Sequence, residues 1–170
     1  MFRLAALLVL LAGQAAALSC EQVEWQDARF SLCRVDPATD DLRLFHSGAD
    51  GAPLGDFSRI GAETGRTLAF AMNAGMFDVR GAPIGLYIEN GRQMKAVNTR
   101  DGFGNFHLKP NGVFWIAQNG ERGVTETGRY LARKIQPAYA TQSGPMLVIG
   151  GDLHPRIRED GTSRKIRNGV

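Results

Sequence analysis

Turn pairs that contain glycine divide this chain into short apolar runs, and this punctuation limits the folds open to it. Of the 170 residues, 21 are glycine, which favours turns and short strands over long helices. The strongest signal is Asn90-Gly91, which separates the runs 84–89 and 93–97 as in a two-residue β-hairpin. A fold built mainly from short antiparallel strands is therefore expected.

Further apolar runs predict more strands and two short helices. Two of them, 29–35 and 42–47, alternate around Asp36-Pro37 and predict a hairpin, and 67–72 has the continuous apolar character of a buried central strand. The remaining predicted strands are 113–117 and 146–149, and the predicted helices are 57–64 and 127–134. Together these elements predict an α+β domain dominated by antiparallel sheet, with a few short helices packed on it.

The first 17 residues have the pattern of a signal peptide. Arg3 supplies a positive charge, 4–12 contains only Leu, Val and Ala, and 15–17 supplies small residues for cleavage. The apolar run is too short for a transmembrane helix, which needs about 20 residues. We therefore expect a single mature domain, 18–170, that is periplasmic or secreted and has no membrane span.

Cys20 and Cys33 are the only cysteines. In an oxidising compartment such a pair most simply forms a disulfide, worth about 3 kcal/mol for a loop of this size. A redox pair is disfavoured because there is no Cys-x-x-Cys spacing. A lipid anchor on Cys20 is the other alternative, and Ala17 argues against it because a large aliphatic residue usually stands three positions before an acylated cysteine.

Charge and histidine placement exclude several functions. The net charge of +3 is too small for the basic stripe of a nucleic-acid binder, and no interleaved aromatic pattern marks a stacking platform for bases. His46, His107 and His154 are scattered singly, without a metal-binding motif or a dinucleotide fingerprint. No metal site and no nucleic-acid partner is therefore predicted, and no cofactor is identified.

Two polar stretches stand where a core needs no polar residue. Asn73 and Gly75 follow the predicted strand 67–72, where an amide and a close backbone approach could serve a ligand or only a turn. Asn105, His107 and Lys109 alternate, so an extended segment would place them on one face. That face could bind a phosphate or a sugar, or simply face water.

A third polar stretch begins at Ser143-Gly144 and becomes rich in arginine. Residues 151–170 include five Lys or Arg and three Asp or Glu. Arginines in such a loop suit bidentate binding of phosphate oxygens, although a solvated surface loop has the same composition. Ser143 lacks the Gly-x-Ser-x-Gly elbow and is not predicted to be a nucleophile.

Taken in order, five segments resemble the phosphodiester glycosidase family: AFAMNAGMFD, GLYIENGRQ, GNFHLKPNGVFW, ATQSGPMLVIGG and TSRKIRNGV. That family includes the enzyme that uncovers mannose-6-phosphate tags by removing a capping N-acetylglucosamine. The resemblance covers about 30–170 and is greatest to small exported bacterial members. It implies an α+β domain that hydrolyses a sugar-1-phosphodiester at the glycosidic carbon.

Matching motifs imply roles for individual residues. The resemblance places His107 near the scissile bond or the phosphate, as the catalytic residue. The residues that it implies for substrate binding are Asn73, Gly75, Asn105, Ser143, Gly144, Arg164, Arg167 and Asn168. Since a phosphate is a good leaving group, the protein mainly has to hold its charge and stabilise an oxocarbenium-like centre, normally with a carboxylate.

The sequence departs from the family pattern at its end. The family continues past the RNG motif to an Asp-Gly-Gly segment, and Asp78, Asp101 and Asp152 have no clear claim to be nucleophile or base. We therefore expect the chain to be truncated and weakly active or inactive by itself. Two alternatives are a non-catalytic module that binds phosphorylated glycans and a structural envelope protein without a ligand.

Overall fold

The computed structural model describes residues 18–36, 38–158, 160–162 and 165–170. The predicted signal peptide, 1–17, lies outside the described residues, as does Arg164. The chain divides into two compact units, Met1–Asp41 and Leu42–Val170, which are taken separately below. The single domain over 18–170 stays a prediction.

The described part of the first unit is a disulfide-bridged hairpin. Strand β1, Ser19–Trp25, pairs antiparallel with β2, Ala28–Arg34, and the connecting Gln26 and Asp27 both have positive φ, 47° and 59°. This left-handed pair suits the twist of a tight hairpin. Cys20 lies directly opposite Cys33 and is disulfide-bonded to it, so the predicted pairing is confirmed.

The predicted partner of β2 is wrong. We expected 29–35 to pair with 42–47 across Asp36-Pro37, whereas β2 pairs with the preceding strand β1. Residues 42–46 form no strand, and Ser47 makes only an isolated bridge to Pro53. The true turn, Gln26-Asp27, contains no glycine, so it lacks the usual sequence signal of a two-residue hairpin turn.

The second unit contains a five-stranded antiparallel sheet in the order β4-β3-β7-β5-β6. Its strands are β3, Tyr87–Glu89; β4, Arg92–Lys95; β5, Gly112–Ala117; β6, Arg122–Glu126; and β7, Pro137–Ser143. Asn90 and Gly91 join β3 to β4 with φ of 51° and 74°, as the sequence predicts. The predicted strand at 113–117 is also confirmed, as β5.

The central strand of this sheet was assigned to the wrong segment. The sequence favoured the apolar run 67–72, which is irregular and at most half-buried in the structure. The centre is β7, in which Ala140, Thr141 and Gln142 are buried in succession. Two of these side chains are polar, so β7 has neither the apolar run nor the alternation that marks a strand in sequence.

Two short helices complete the unit at the predicted positions. Helix α1, Phe57–Thr64, begins after Asp56, whose side chain accepts from two backbone N–H groups, and ends at Gly65, whose φ is 64°. Helix α2, Thr127–Arg133, follows β6 and buries Tyr130 against the sheet. The core residues around Tyr130 are Leu86, Ile88, Val113, Trp115 and Ala140.

A small hairpin follows the sheet. Strands β8, Val148–Ile149, and β9, Asp152–Leu153, are joined by Gly150 and Gly151, with φ of 62° and 100°. The predicted strand at 146–149 is thereby confirmed in part. With short helices on a mainly antiparallel sheet, the α+β class is confirmed.

Candidate functional site

Two of the predicted polar stretches meet at the C-terminal end of β7. A Cβ on Gly75 would collide with Thr141 Oγ1 and would lie 2.6 Å from the carbonyl oxygen of Gln142. A Cβ on Gly144 would lie 2.7 Å from the carbonyl oxygen of Phe106 and 2.9 Å from that of Asn105. Glycine is therefore needed at both positions, because each backbone lies directly against its neighbour.

The buried side chain of Gln142 ties β7 to the next part of the site. Its Oε1 accepts from the backbone N–H of Leu86 at 3.1 Å and from that of Asn98 at 2.9 Å. Its Nε2 donates to the carbonyl oxygen of Asn98 at 2.9 Å and to Thr127 Oγ1 at 3.3 Å. All four bonds are internal, so Gln142 fixes the start of the loop 99–109 and is not available to a ligand.

The loop 99–109 has a different local structure from the one expected. Instead of an extended segment, Asn105–His107 form a single 3₁₀ turn, in which Leu108 N donates to Asn105 O at 3.1 Å. Asn105, His107 and Lys109 therefore do not share one face of a strand. The turn forms because Phe106 is buried and its carbonyl oxygen accepts from Asn111 Nδ2 at 2.9 Å.

The imidazole of His107 has a defined orientation. Its Nδ1 lies 3.1 Å from the carbonyl oxygen of Arg100, and a carbonyl can only accept, so Nδ1 carries the hydrogen and donates. The neutral ring then keeps its lone pair on Nε2. A Cβ on Gly102 would lie 2.7 Å from His107 Cδ2, so the Gly102 backbone packs directly against the ring.

The loop that carries this ring also holds a pair of charged side chains, Lys109 and Asp101. Lys109 Nζ donates to the carbonyl oxygen of Thr99 at 2.7 Å and to Asp101 Oδ1 at 2.6 Å. This hydrogen bond and the charge of Lys109 hold the pKa of Asp101 below its usual range, and the charge that His107 carries when it is protonated adds to the effect. Asp101 is 96% exposed, so it is an ionised carboxylate that water can reach.

Arg100 is a member of this cluster that sequence reasoning missed. Its carbonyl oxygen orients His107, and its exposed guanidinium donates from Nε to Asn98 Oδ1 at 3.4 Å. Residues 100 and 107 have no periodic relationship, since the loop is neither helix nor strand over most of its length. The only available signal was the Arg-Asp pair that precedes Gly102.

His154 supports the far end of the loop. It is almost fully buried, with Nε2 donating to the carbonyl oxygen of Lys109 at 3.2 Å. Its Nδ1 accepts from the backbone N–H of Arg156 at 3.1 Å. Both ring nitrogens are occupied by backbone groups, so His154 is a positioning residue for Lys109 and not a second reactive histidine.

For the other predicted substrate-binding residues, the structure shows mainly how exposed they are. Asn73 and Asn105 are exposed, and Ser143 is half-buried at the end of β7. Arg167 and Asn168 are exposed, and a Cβ on the following Gly169 would lie 3.8 Å from Leu147 Cδ1. A meeting of the C-terminal residues with His107 stays a prediction, and Arg164 lies outside the described residues.

The last residue contributes to a groove beside the sheet. Val170 lines it together with β6, α2 and residues 146–150, and its volume is about 800 Å³. Over the described ranges, no group of three or more His, Cys, Asp and Glu side chains is placed to hold a metal ion. No helix in this described part is long and apolar enough to cross a membrane.

The similarity of this chain to known proteins covers all of the residues described above for the site. A family model described as Phosphodiester glycosidase matches residues 66–170. The chain is also 39% identical over 139 residues to the uncharacterized protein YigE of Escherichia coli (strain K12). That alignment covers 80% of this chain and 54% of YigE, so the chain spans about half the length of this relative. No solved structure matches the chain significantly.

Proposed function

Since this chain belongs to the phosphodiester glycosidase family, we propose that it hydrolyses a sugar-1-phosphodiester outside the cytoplasm. The substrate class follows from the family and from the cations at the site. The N-terminal pattern of 1–17 and the Cys20–Cys33 disulfide support export to the periplasm or the medium. The partner of the protein is accordingly a sugar phosphate or a glycan of the cell envelope.

One observation carries this proposal: the fixed orientation of His107 within a cationic loop. Because Nδ1 donates to Arg100 O, the lone pair on Nε2 is left for chemistry. Arg100 and Lys109 bring two positive charges to this loop against the one negative charge of Asp101, which Lys109 binds. The net positive charge is suited to a phosphodiester anion. A base next to a phosphate-binding group is what hydrolysis at the neighbouring carbon requires.

The reaction that we propose breaks the bond between the anomeric carbon and the phosphate oxygen. The electron pair stays with the phosphate, which leaves as a phosphomonoester dianion. The conjugate acid of this dianion has a pKa of about 6, far below that of an alcohol, so the leaving group needs little general-acid help. Water adds to the anomeric carbon and gives a proton to His107 Nε2, and Arg100 O stabilises the imidazolium through Nδ1–H. Asp101, which is held ionised by Lys109, is the carboxylate that the loop offers to the positive sugar carbon.

The remaining family residues bind the substrate in this proposal. Asn73 and Gly75 line the sugar pocket, and the backbone of Ser143 and Gly144 forms its floor at the end of β7. The groups assigned to the phosphodiester and its surroundings are Asn105, Arg164, Arg167 and Asn168. The close packing of Gly75 against the end of β7 supports the assignments to the sugar pocket and its floor. It brings the segment of Asn73 and Gly75 to the strand end that Ser143 and Gly144 follow.

Substitution of His107 by Asn tests the proposal selectively. The Asn amide can still donate to Arg100 O, so the loop is retained, but the Nε2 lone pair is lost. We expect turnover of sugar-1-phosphodiesters to fall by about 10² to 10⁴ while the melting temperature is unchanged. His46→Asn is the matched control, because His46 bonds Ser47 and Gly81 away from this loop. Equal turnover in both variants, per folded molecule, would refute the role of His107.

A binding module without catalysis is the second candidate, and one observation favours it. Asp101, the carboxylate that the loop offers to the sugar carbon, is 96% exposed and paired with Lys109. Water and the ammonium group therefore screen its charge, which weakens its stabilisation of a positive carbon. Saturable binding of a sugar-1-phosphodiester that is never cleaved, even in long incubations, would establish this alternative and exclude the enzyme.

A further inference from the structure

The loop 99–109 contains two phenylalanines, of which one is buried and the other is exposed. Phe106 is 4% exposed and fills the space beneath the 3₁₀ turn, whereas Phe103 is 102% exposed. The loop thus has its own apolar anchor in Phe106 and does not need the second ring for packing. Because exposure of a large apolar side chain to water is unfavourable, the position of Phe103 calls for an explanation.

Exposure alone does not mark a site, since single exposed apolar side chains are common. Val79, for example, is 104% exposed at the tip of another turn. Phe103 differs from Val79 in its neighbours. It lies between Gly102, whose backbone packs on the His107 ring, and Gly104, whose φ is 85°. Phe103 therefore follows directly on a residue whose backbone packs against the imidazole, and neither of its neighbours has a side chain that could shield the phenyl ring.

Several hydrogen bonds fix the loop 99–109, which carries Phe103. Lys109 Nζ binds the carbonyl oxygen of Thr99, and His107 Nδ1 donates to that of Arg100. On the other side, Asn111 Nδ2 donates to the carbonyl oxygen of Phe106. An apolar ring on a loop fastened in this way loses less conformational entropy when it binds than a ring on a free loop.

We infer that Phe103 is a stacking platform for the sugar ring of the ligand bound at His107. The face of a phenyl ring carries partial negative charge, and the C–H groups on one face of a pyranose are apolar and weakly positive. Stacking would bury the exposed phenyl face and orient the anomeric carbon towards the imidazole. This inference rests on the proposed function for the chemical class of the ligand.

The test separates the sugar from the phosphate. Binding is measured by calorimetry with a panel of pyranosyl 1-phosphates (glucose, mannose and N-acetylglucosamine) and with methyl phosphate, which has the same anionic group without a ring. We expect the protein to prefer at least one pyranosyl phosphate by about tenfold or more, since a good aromatic stacking contact alone is worth about tenfold. Phe103→Ala should lower this preference by about that factor, and Phe103→Trp should restore it.

Two control variants test whether the effect is specific to Phe103. Val79→Ala and Phe57→Ala remove exposed apolar groups elsewhere and should leave the preference unchanged. An unchanged preference in Phe103→Ala, an equal weakening of both ligand types, or no preference in the unaltered protein would each overturn the inference. Failure of the proposed function is distinguishable, because it would abolish turnover while a preference dependent on Phe103 persists.

Discussion

Gln142 and Asn98 form a reciprocal pair in the interior, with the Gln142 side chain bonded to the Asn98 backbone in both directions. Asn98 N donates to Gln142 Oε1 at 2.9 Å, and Gln142 Nε2 donates to Asn98 O at 2.9 Å. Gln142 is 1% exposed, so no water replaces either bond. This pair joins the central strand to the loop that carries His107, and several consequences can be measured.

Gln142→Glu should destabilise the protein strongly. The new carboxylate cannot donate to Asn98 O or Thr127 Oγ1, and it would place a charge in the interior. We expect the free energy of unfolding to fall by about 3 kcal/mol or more, measured by chemical denaturation. Gln93→Glu is the matched control on the exposed strand β4 and should change stability by less than about 0.5 kcal/mol. Similar effects in both variants would contradict the pairing.

Gly144→Ala and Gly61→Ala should have opposite effects on stability. A Cβ at 144 would lie 2.7 Å from a backbone oxygen that cannot easily move, whereas a Cβ at 61 would lie 3.4 Å from the nearest one. We expect the first change to cost about 1 to 3 kcal/mol by overpacking. The second lies within helix α1 and should stabilise by about 0.5 to 1 kcal/mol. Thermal melts of both variants measure these changes. An unchanged stability in Gly144→Ala would contradict the close packing of residue 144 on the turn.

The lowered pKa of Asp101 should depend on Lys109. Its folded pKa lies below 3.8, the ordinary pKa of an aspartate, chiefly because Lys109 donates to the carboxylate. The pair therefore contributes to stability above that pH and loses its contribution as the pH falls through the folded pKa. In Lys109→Met, NMR titration should show the pKa of Asp101 moving up towards 3.8. Asp78 is the internal control, because the backbone N–H groups of Arg80 and Ala82 lower its pKa. An unchanged pKa of Asp101 in this variant would contradict the ion pair with Lys109.

Removal of the disulfide should loosen only the hairpin. Two paired strands alone are barely stable in water, and the bond between Cys20 and Cys33 spans 13 residues. In the double serine variant we expect amide-exchange protection in β1 and β2 to fall by about a hundredfold, which corresponds to about 3 kcal/mol. Protection in β5 and β7 should stay the same. Equal losses in both compact units would show that the bridge stabilises more than its own hairpin.

Strong local signals in the sequence predicted their elements correctly. Asn90-Gly91 identified the β3–β4 hairpin because a two-residue turn with positive φ at both positions favours these residues. Asp56 and Gly65 likewise mark the two ends of α1. In each case, chemistry within a few residues decides the local backbone, so the sequence carries the information directly.

Elements that depend on distant contacts could not be predicted in this way. Strand β7 is central because Gln142 satisfies the backbone of Leu86 and Asn98, and these residues are far apart in the chain. The orientation of His107 depends similarly on the carbonyl oxygen of Arg100. The sequence identified His107 as a candidate through family resemblance, but the proton position on its ring follows only from the folded loop.

The most direct test of the proposed reaction is hydrolysis in water enriched in ¹⁸O, followed by mass spectrometry of the products. This end-point measurement needs few turnovers. If water attacks the anomeric carbon, as we propose, the label appears in the sugar hydroxyl, the phosphate is unlabelled, and His107→Asn gives far less of both products in the same time. Label in the phosphate would mean cleavage of the phosphorus–oxygen bond and would contradict glycosidase chemistry in this protein.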